Sequence, residues 1–248
     1  MVITYLRFLS GRERSREADR HLGLTLAFVA GAVNAGGYLA VAQYTSHMTG
    51  ILSSIADNLA LSRLHVAASG AAAFVSFVCG AATSAILINW ARRKNLRSEY
   101  ALPLMLEAVL LLVFGLLGAN LKVYVEVFVP VTVLLLCYMM GLQNAIITKA
   151  SNAIIRTTHM TGNSTDLGIE LGKLFYWNMD GTASDRVLAN REKLGIHASL
   201  IALFVTGGIV GALGFKRIGY ISTLPLAVLL FIIAIVPVWD DLVAPRAG

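Results

Sequence analysis

Residues 45–50 read Thr-Ser-His-Met-Thr-Gly, and residues 157–162 read Thr-Thr-His-Met-Thr-Gly. A polar hexapeptide that returns almost unchanged in the second half of an apolar chain indicates an internal duplication. A second element repeats upstream, as Gly31-x-x-Asn34-Ala35 and Gly141-x-x-Asn144-Ala145. We therefore expect the two halves to share one fold, and the repeated polar runs to build one site between them.

The composition is that of a membrane protein. Of 248 residues, 57% are apolar and only 14% are charged, which lies outside the range of soluble globular domains. Several stretches of about 20 residues carry almost no charge, and this is the length that crosses ~30 Å of hydrocarbon as a helix. The sequence predicts an all-α integral membrane protein in a lipid bilayer. The net charge of +6 is interpreted as an orientation signal and not as nucleic-acid binding.

Six apolar segments are long enough to span, at residues 24–43, 66–90, 102–121, 125–148, 197–215 and 219–239. Two shorter segments, 49–61 and 161–175, begin at the repeated runs. With a cytoplasmic N-terminus, six spans place the basic cluster Arg92–Arg97 inside and leave Lys122, Lys216 and Arg217 outside. Eight full spans would put the Arg92–Arg97 cluster outside, against the positive-inside bias.

We therefore expect about six transmembrane helices in a 3+3 inverted repeat, each half with one broken or re-entrant helix. The short segment enters from the periplasmic side in the first half and from the cytoplasmic side in the second. The predicted regions are a basic cytoplasmic N-terminus read as a solvated tail (1–20), a first repeat (21–121), a second repeat (122–240) and a C-terminal tail (241–248). Small residues such as Ala72, Ser76, Gly80 and Ser84 predict close helix packing, within the chain or in a homodimer.

Irregular backbone at membrane depth is tolerated where it is buried or lines a water-filled cavity. At such a break, glycine permits close backbone approach or unusual dihedrals, and threonine can cap the helix that follows. The free N–H groups in the first turn of that helix suit an anion or a carbonyl oxygen. Histidine can donate, accept or carry a proton, or only bond the exposed backbone. The predicted substrate-binding residues are His47, Thr49, Gly50, His159, Thr161 and Gly162, supported by Asn34, Asn144 and Asn163. We expect each of the paired asparagines, Asn34 and Asn144, to bond the opposing break.

Charged residues follow both breaks. Asp57, Asp166 and Glu170 are candidate coupling sites for a proton or cation, because intramembrane ionisable groups often mark a pathway. The alternative is a charged helix end with internal ion pairs, which involve Lys173. No third ligand accompanies the two histidines at suitable spacing, so neither a metal site nor a cofactor is expected.

The Gly-x-x-Asn-Ala element, the Thr-x-His-Met-Thr-Gly run and Thr161-Gly162-Asn163 resemble the YoaK-type family of bacterial membrane proteins, over about residues 21–240. The resemblance implies a bacterial inner-membrane protein that transports small molecules. The first half departs from the pattern, with Ile51 where the second has Asn163, so the two halves are unequal.

Three functions remain open at this point. The first is a secondary transporter of a small polar or anionic metabolite, with its site at the two breaks. The second is a passive channel in which the re-entrant segments form a filter. The third is a membrane enzyme or scaffold, for which the sequence offers no nucleotide loop and no nucleophile–base motif; an enzyme is not expected.

Overall fold

The computed structural model describes residues 2–120, 125–178 and 186–243, and these residues form nine α-helices and no strand. A 3-10 turn, Gly219–Ser222, joins the last two helices. The helices are α1 (Val2–Ser10), α2 (Arg16–Val41), α3 (Met48–Ala60), α4 (Leu64–Arg93), α5 (Ala101–Asn120), α6 (Val125–Ala150), α7 (Met160–Leu174), α8 (Arg191–Ile218) and α9 (Thr223–Val243).

Five stretches of the described chain are long and apolar enough to cross a membrane, and the fifth, Arg191–Val243, contains both α8 and α9. The described parts of the predicted apolar segments lie mainly in α2, α4, α5, α6, α8 and α9, with residues 219–222 in the 3-10 turn. The prediction of an all-α, multi-pass membrane protein is therefore confirmed. Helices α3 and α7 have only 13 and 15 residues, and a helix of that length falls short of the hydrocarbon thickness.

Some sequence predictions fall outside the described residues. They concern Lys122, the junction of the two predicted repeats at 121–122, and residues 244–248 of the predicted C-terminal tail.

Helices from the first half of the chain pair with helices from the second half. Helix α2 packs along α8, α4 along α6, and α5 along α9, while α3 lies on α4 and α7 lies on α8. Side chains from all three long pairs meet in one large apolar core. A smaller cluster of Ile51, Ala73 and Cys137 holds the start of α3 between α4 and α6.

Glycines set the distance between the helices of two of these pairs. An added Cβ at any of four glycines would lie 1.9–2.0 Å from a backbone carbonyl oxygen of the partner helix. The contacts are Gly31 with Phe204 and Gly207 with Phe28 between α2 and α8, and Gly80 with Tyr138 and Gly141 with Phe77 between α4 and α6. Only glycine allows backbones this close, as is common between membrane helices.

The small-residue face predicted on α4 is used inside the chain. Gly80 and Ser84 are buried, and the Ser76 hydroxyl donates to the carbonyl of Leu134 on α6 at 2.7 Å. This face of α4 therefore packs on α6.

The N-terminal region contains a helix that packs on the rest of the chain, while Arg7, Arg12 and Arg16 remain exposed. Helix α1 packs on α9, and the Arg7 guanidinium donates two hydrogen bonds to the Asp240 carboxylate, at 2.5 and 2.7 Å. Arg14 donates one hydrogen bond to Asp19 Oδ1, at 2.5 Å, and one to the Leu9 carbonyl, at 2.8 Å. Arg7 and Arg14 are held because carboxylates at the start of α2 and the end of α9 lie within reach.

The glycine contacts predict a large difference between two kinds of Gly→Ala substitution. Gly80→Ala and Gly141→Ala place a methyl group against carbonyl oxygen, so the helices must separate, at a cost of about 1–3 kcal/mol each. Gly172→Ala adds a methyl group where no described atom lies within 4 Å and gains helix propensity. The thermal unfolding midpoint of the purified protein should fall for the first two and hold or rise for the third. Equal midpoints for all three would contradict the close packing.

Candidate functional site

The chain turns back on itself after α2 and after α6. In the first half, the Ser46 hydroxyl donates to Asn34 Oδ1 at 3.0 Å; in the second, the Thr158 hydroxyl donates to Asn144 Oδ1 at 2.7 Å. Each asparagine thus bonds the break of its own half, and the expectation that it bonds the opposing break is wrong. The reason is the short return, because the loop brings its own hydroxyl alongside the preceding helix.

The two histidines are the residues that precede the short helices. Helix α3 begins at Met48 and α7 at Met160, with His47 and His159 as their N-cap residues. The first helical bonds run from Ile51 N–H to the His47 carbonyl (3.1 Å) and from Asn163 N–H to the His159 carbonyl (3.0 Å). The proposed capping by Thr49 and Thr161 is therefore wrong, because both threonines already lie within the first turn. The Met48 N–H donates to the Ser46 carbonyl at 3.2 Å, whereas the other first-turn N–H groups have no carbonyl one turn earlier to bond.

Each histidine ring lies over a glycine. An added Cβ on Gly50 would stand 2.8 Å from His47 Nδ1, and one on Gly162 would stand 2.2 Å from His159 Nδ1. Neither glycine has a positive φ, so close approach is its role and not an unusual dihedral. Neither ring forms a side-chain hydrogen bond with a described residue, so its close contact with the glycine is a packing contact.

Both breaks line one cavity of about 600 Å³ between the two halves, which we name the central cavity. Six of the predicted substrate-binding residues border it: Asn34, His47, Thr49, Asn144, His159 and Thr161. Nine further residues line the cavity, and none was among the predicted substrate-binding residues; they include Tyr44, Phe77, Arg156 and Phe204. Phe77 and Phe204 lie there because their carbonyl groups form the glycine contacts with Gly141 and Gly31.

Two further cavities flank the central one. The first side cavity, about 630 Å³, lies among α3, α4 and α6 and is bordered by Gly50. The second side cavity, about 460 Å³, lies beside α7 and α8 and is bordered by Gly162 and Asn163. His47 borders both the central and the first side cavity, and His159 borders both the central and the second. Each imidazole is thus a shared wall between two cavities.

The second side cavity holds a polar cluster that the first side cavity lacks among its described residues. Asn163 Oδ1 lies 3.3 Å from His197 Nδ1, and Asp166 Oδ2 lies 3.8 Å from His197 Nε2. The first side cavity has Ile51 and Gly70 among its lining. Aligning Gly207 of α8 with Gly80 of α4 puts His197 at the position of Gly70, a comparison that the sequence alone would have allowed.

The three candidate coupling residues differ in their surroundings. Glu170 accepts from Lys173 Nζ at 2.8 Å and from the Asn190 N–H at 2.6 Å, so both oxygens are engaged and it fastens the end of α7 to the start of α8. Asp57 is exposed and borders none of the three cavities. Asp166 borders the second side cavity. Within the described ranges, no three His, Cys, Asp or Glu side chains are grouped to hold a metal ion.

The packing of His159 on Gly162 gives a test that is independent of any ligand. Gly162→Ala should displace the His159 ring, which is the free end of a side chain, and lower the unfolding midpoint less than Gly80→Ala does. Gly168→Ala is the matched control on the same helix, since no described atom lies within 4 Å of its added Cβ. Histidine-selective NMR should show one shifted imidazole among the five histidines in Gly162→Ala and none in Gly168→Ala. An unshifted spectrum for Gly162→Ala would refute the ring contact.

Comparison with known proteins adds the family but not an activity. No curated protein and no solved structure is significantly similar to the chain. A protein-family model described as "Protein of unknown function (DUF1275)" matches residues 22–236, from within α2 into α9. The matched range covers both repeated runs and all three cavities, and it nearly coincides with the region that resembles the YoaK-type proteins. The chain therefore belongs to the DUF1275 family.

Proposed function

We propose that the protein is a secondary transporter of a small polar or anionic solute, with the central cavity as its substrate site. The observation that carries this proposal is that both repeated runs line one cavity, while each histidine also borders a side cavity. A midplane site formed by two broken helices is the arrangement of many secondary transporters. The resemblance to the YoaK-type proteins points the same way.

The contacts between helices support a 3+3 inverted repeat. The pair α2–α8 corresponds to the pair α6–α4, and both use reciprocal glycine-to-carbonyl contacts. The corresponding asparagines, Asn34 and Asn144, hold corresponding hydroxyls. With α3 and α7 as half-helices, three long helices remain in each half. An odd number of spans would invert the second half, and the basic residues then favour a cytoplasmic N-terminus in the bacterial inner membrane.

The position of each histidine between the central cavity and a side cavity suggests how access to the central cavity alternates. Because neither ring forms a side-chain hydrogen bond with a described residue, a movement of the ring itself can open one wall without breaking such a bond. Opening at His47 would join the central cavity to the first side cavity, and opening at His159 would join it to the second. A carrier needs these walls to open one at a time, whereas a channel needs both open together.

Removal of both histidine rings tests the site. A panel of small organic anions, nucleobases and neutral polar solutes would be screened for thermal stabilisation of the wild type and of His47→Ala/His159→Ala. His65→Ala is the matched control, because His65 is exposed and borders none of the three cavities. A substrate should raise the midpoint of wild type and control, and the double variant should lose most of that shift. Equal shifts in all three proteins would move the site elsewhere.

Transport is tested with the stabilising solute in proteoliposomes. A carrier exchanges labelled for unlabelled solute, so uptake should accelerate several-fold when the vesicles are preloaded. Uptake that ignores preloading would identify the channel instead. A bound solute that never crosses the membrane would reject transport and favour an enzyme or a scaffold.

Labelling from the two sides of the membrane tests the inverted arrangement. Ser54 borders the first side cavity and Thr165 the second, and each would be replaced by cysteine in a Cys79→Ser/Cys137→Ser background. A membrane-impermeant maleimide should label Ser54→Cys in intact spheroplasts and Thr165→Cys in inside-out vesicles. Labelling of both from the same side would reject the inverted repeat.

A further inference from the structure

The central cavity carries an excess of positive charge. Its ionisable lining residues among the described part of the chain are Arg156, His47 and His159, together with the phenol of Tyr44, and no aspartate or glutamate borders it. A guanidinium keeps its charge at any physiological pH. The cavity is therefore cationic whatever the state of the two imidazoles.

The charge of Arg156 is left uncompensated. Within the described ranges its side chain forms neither a hydrogen bond nor an ion pair, although its carbonyl accepts from Asn163 Nδ2 at 3.0 Å. Arg7, Arg14 and Arg92, by contrast, each pair with a carboxylate. Arg156 also borders the second side cavity, which Asp166 lines as well, but the ion-pair contact of Asp166 is with His197. Arg156 is an exposed residue that borders the cavity, so its charge is open to a solute that enters there.

The charge occurs in one half only. The alignment of the repeated runs puts Tyr44 at the position of Arg156, and both residues border the central cavity. A solute with one anionic end would therefore bind with that end towards the second half. The remaining large lining side chains are apolar and come in corresponding pairs, Met48 with Met160 and Phe77 with Phe204.

We propose that the central cavity binds a small organic acid, with its carboxylate on Arg156 and an apolar, planar body against Phe77 and Phe204. The guanidinium presents paired N–H donors that match the two oxygens of a carboxylate, and the aromatic rings favour a flat apolar body. This inference rests on the proposed function, because it assumes that the central cavity is the substrate site.

Binding of benzoate to the purified full chain tests the inference, with benzamide as a neutral analogue of the same shape and inorganic phosphate as an anion without an apolar body. The variants are Arg156→Gln and Arg156→Lys. Arg63→Gln is the matched control, since Arg63 is exposed and borders none of the three cavities. Affinity is read from the concentration dependence of the unfolding midpoint.

The wild type and Arg63→Gln should bind benzoate alike and more tightly than benzamide or phosphate. Arg156→Gln should weaken benzoate about tenfold to a hundredfold, the usual size for a lost charge-assisted hydrogen bond, and leave benzamide unchanged. Arg156→Lys should retain part of the affinity because it keeps the charge. If Arg156→Gln fails to fold, the comparison of Arg156→Lys with wild type decides, since loss of the paired donors should still weaken benzoate and spare benzamide.

Three results would overturn the inference. Benzamide that binds as tightly as benzoate and loses affinity in His47→Ala/His159→Ala would support the proposed site. It would also show that binding does not require a negative charge on the solute. Phosphate that binds as tightly as benzoate would show that binding does not require an apolar body in the solute. Absence of benzoate binding to the wild type at millimolar concentration would reject this class of acid, while the wider solute panel still decides whether the protein is a transporter.

Discussion

The contact of glycine with a carbonyl oxygen on the partner helix is the constraint on which the rest of the structure depends. It brings α2 against α8 and α4 against α6 at backbone distance, and so places Phe204 and Phe77 beside the cavity. Asn34 and Asn144 each follow one of these glycines by three residues, so the same crossing fixes where the returning loop is held. The Gly-x-x-Asn-Ala element thus combines a packing residue with a loop-holding residue on one helix turn.

The sequence predicted the structure best where a residue type is unusual for its surroundings, such as a polar run in an apolar chain. Long apolar segments predicted the helices, and two polar hexapeptides predicted two breaks, which the structure brings to one cavity. The partner of each asparagine was not predictable, because it depends on how tightly a loop returns along its helix. Histidine occupies the N-cap position, without a side-chain capping bond, because α3 and α7 begin at the methionine before each threonine, a boundary that composition does not define.

Arg156 and His197 show a second limit of prediction. Neither residue belongs to the repeated hexapeptide. Each stands out only when the two halves are compared position by position, Arg156 with Tyr44 and His197 with Gly70. The framework residues, namely the glycines, asparagines and histidines, are the same in both halves. The differences between the halves lie around them, where the first half is apolar at Ile51 and the second is polar at Asn163. In a duplicated protein the unequal positions are the places to look for chemical selectivity.

The pairing of helices also has a consequence for biogenesis. Because α2 packs on α8 and α4 packs on α6, the first half emerges from the ribosome with the glycine faces of both helices uncovered. Those faces stay in lipid until α6 and α8 have been inserted, so neither half is an independent folding unit in the way that successive soluble domains are. A gene cut between α5 and α6 should therefore yield two fragments that are each short-lived alone and that persist when they are made together.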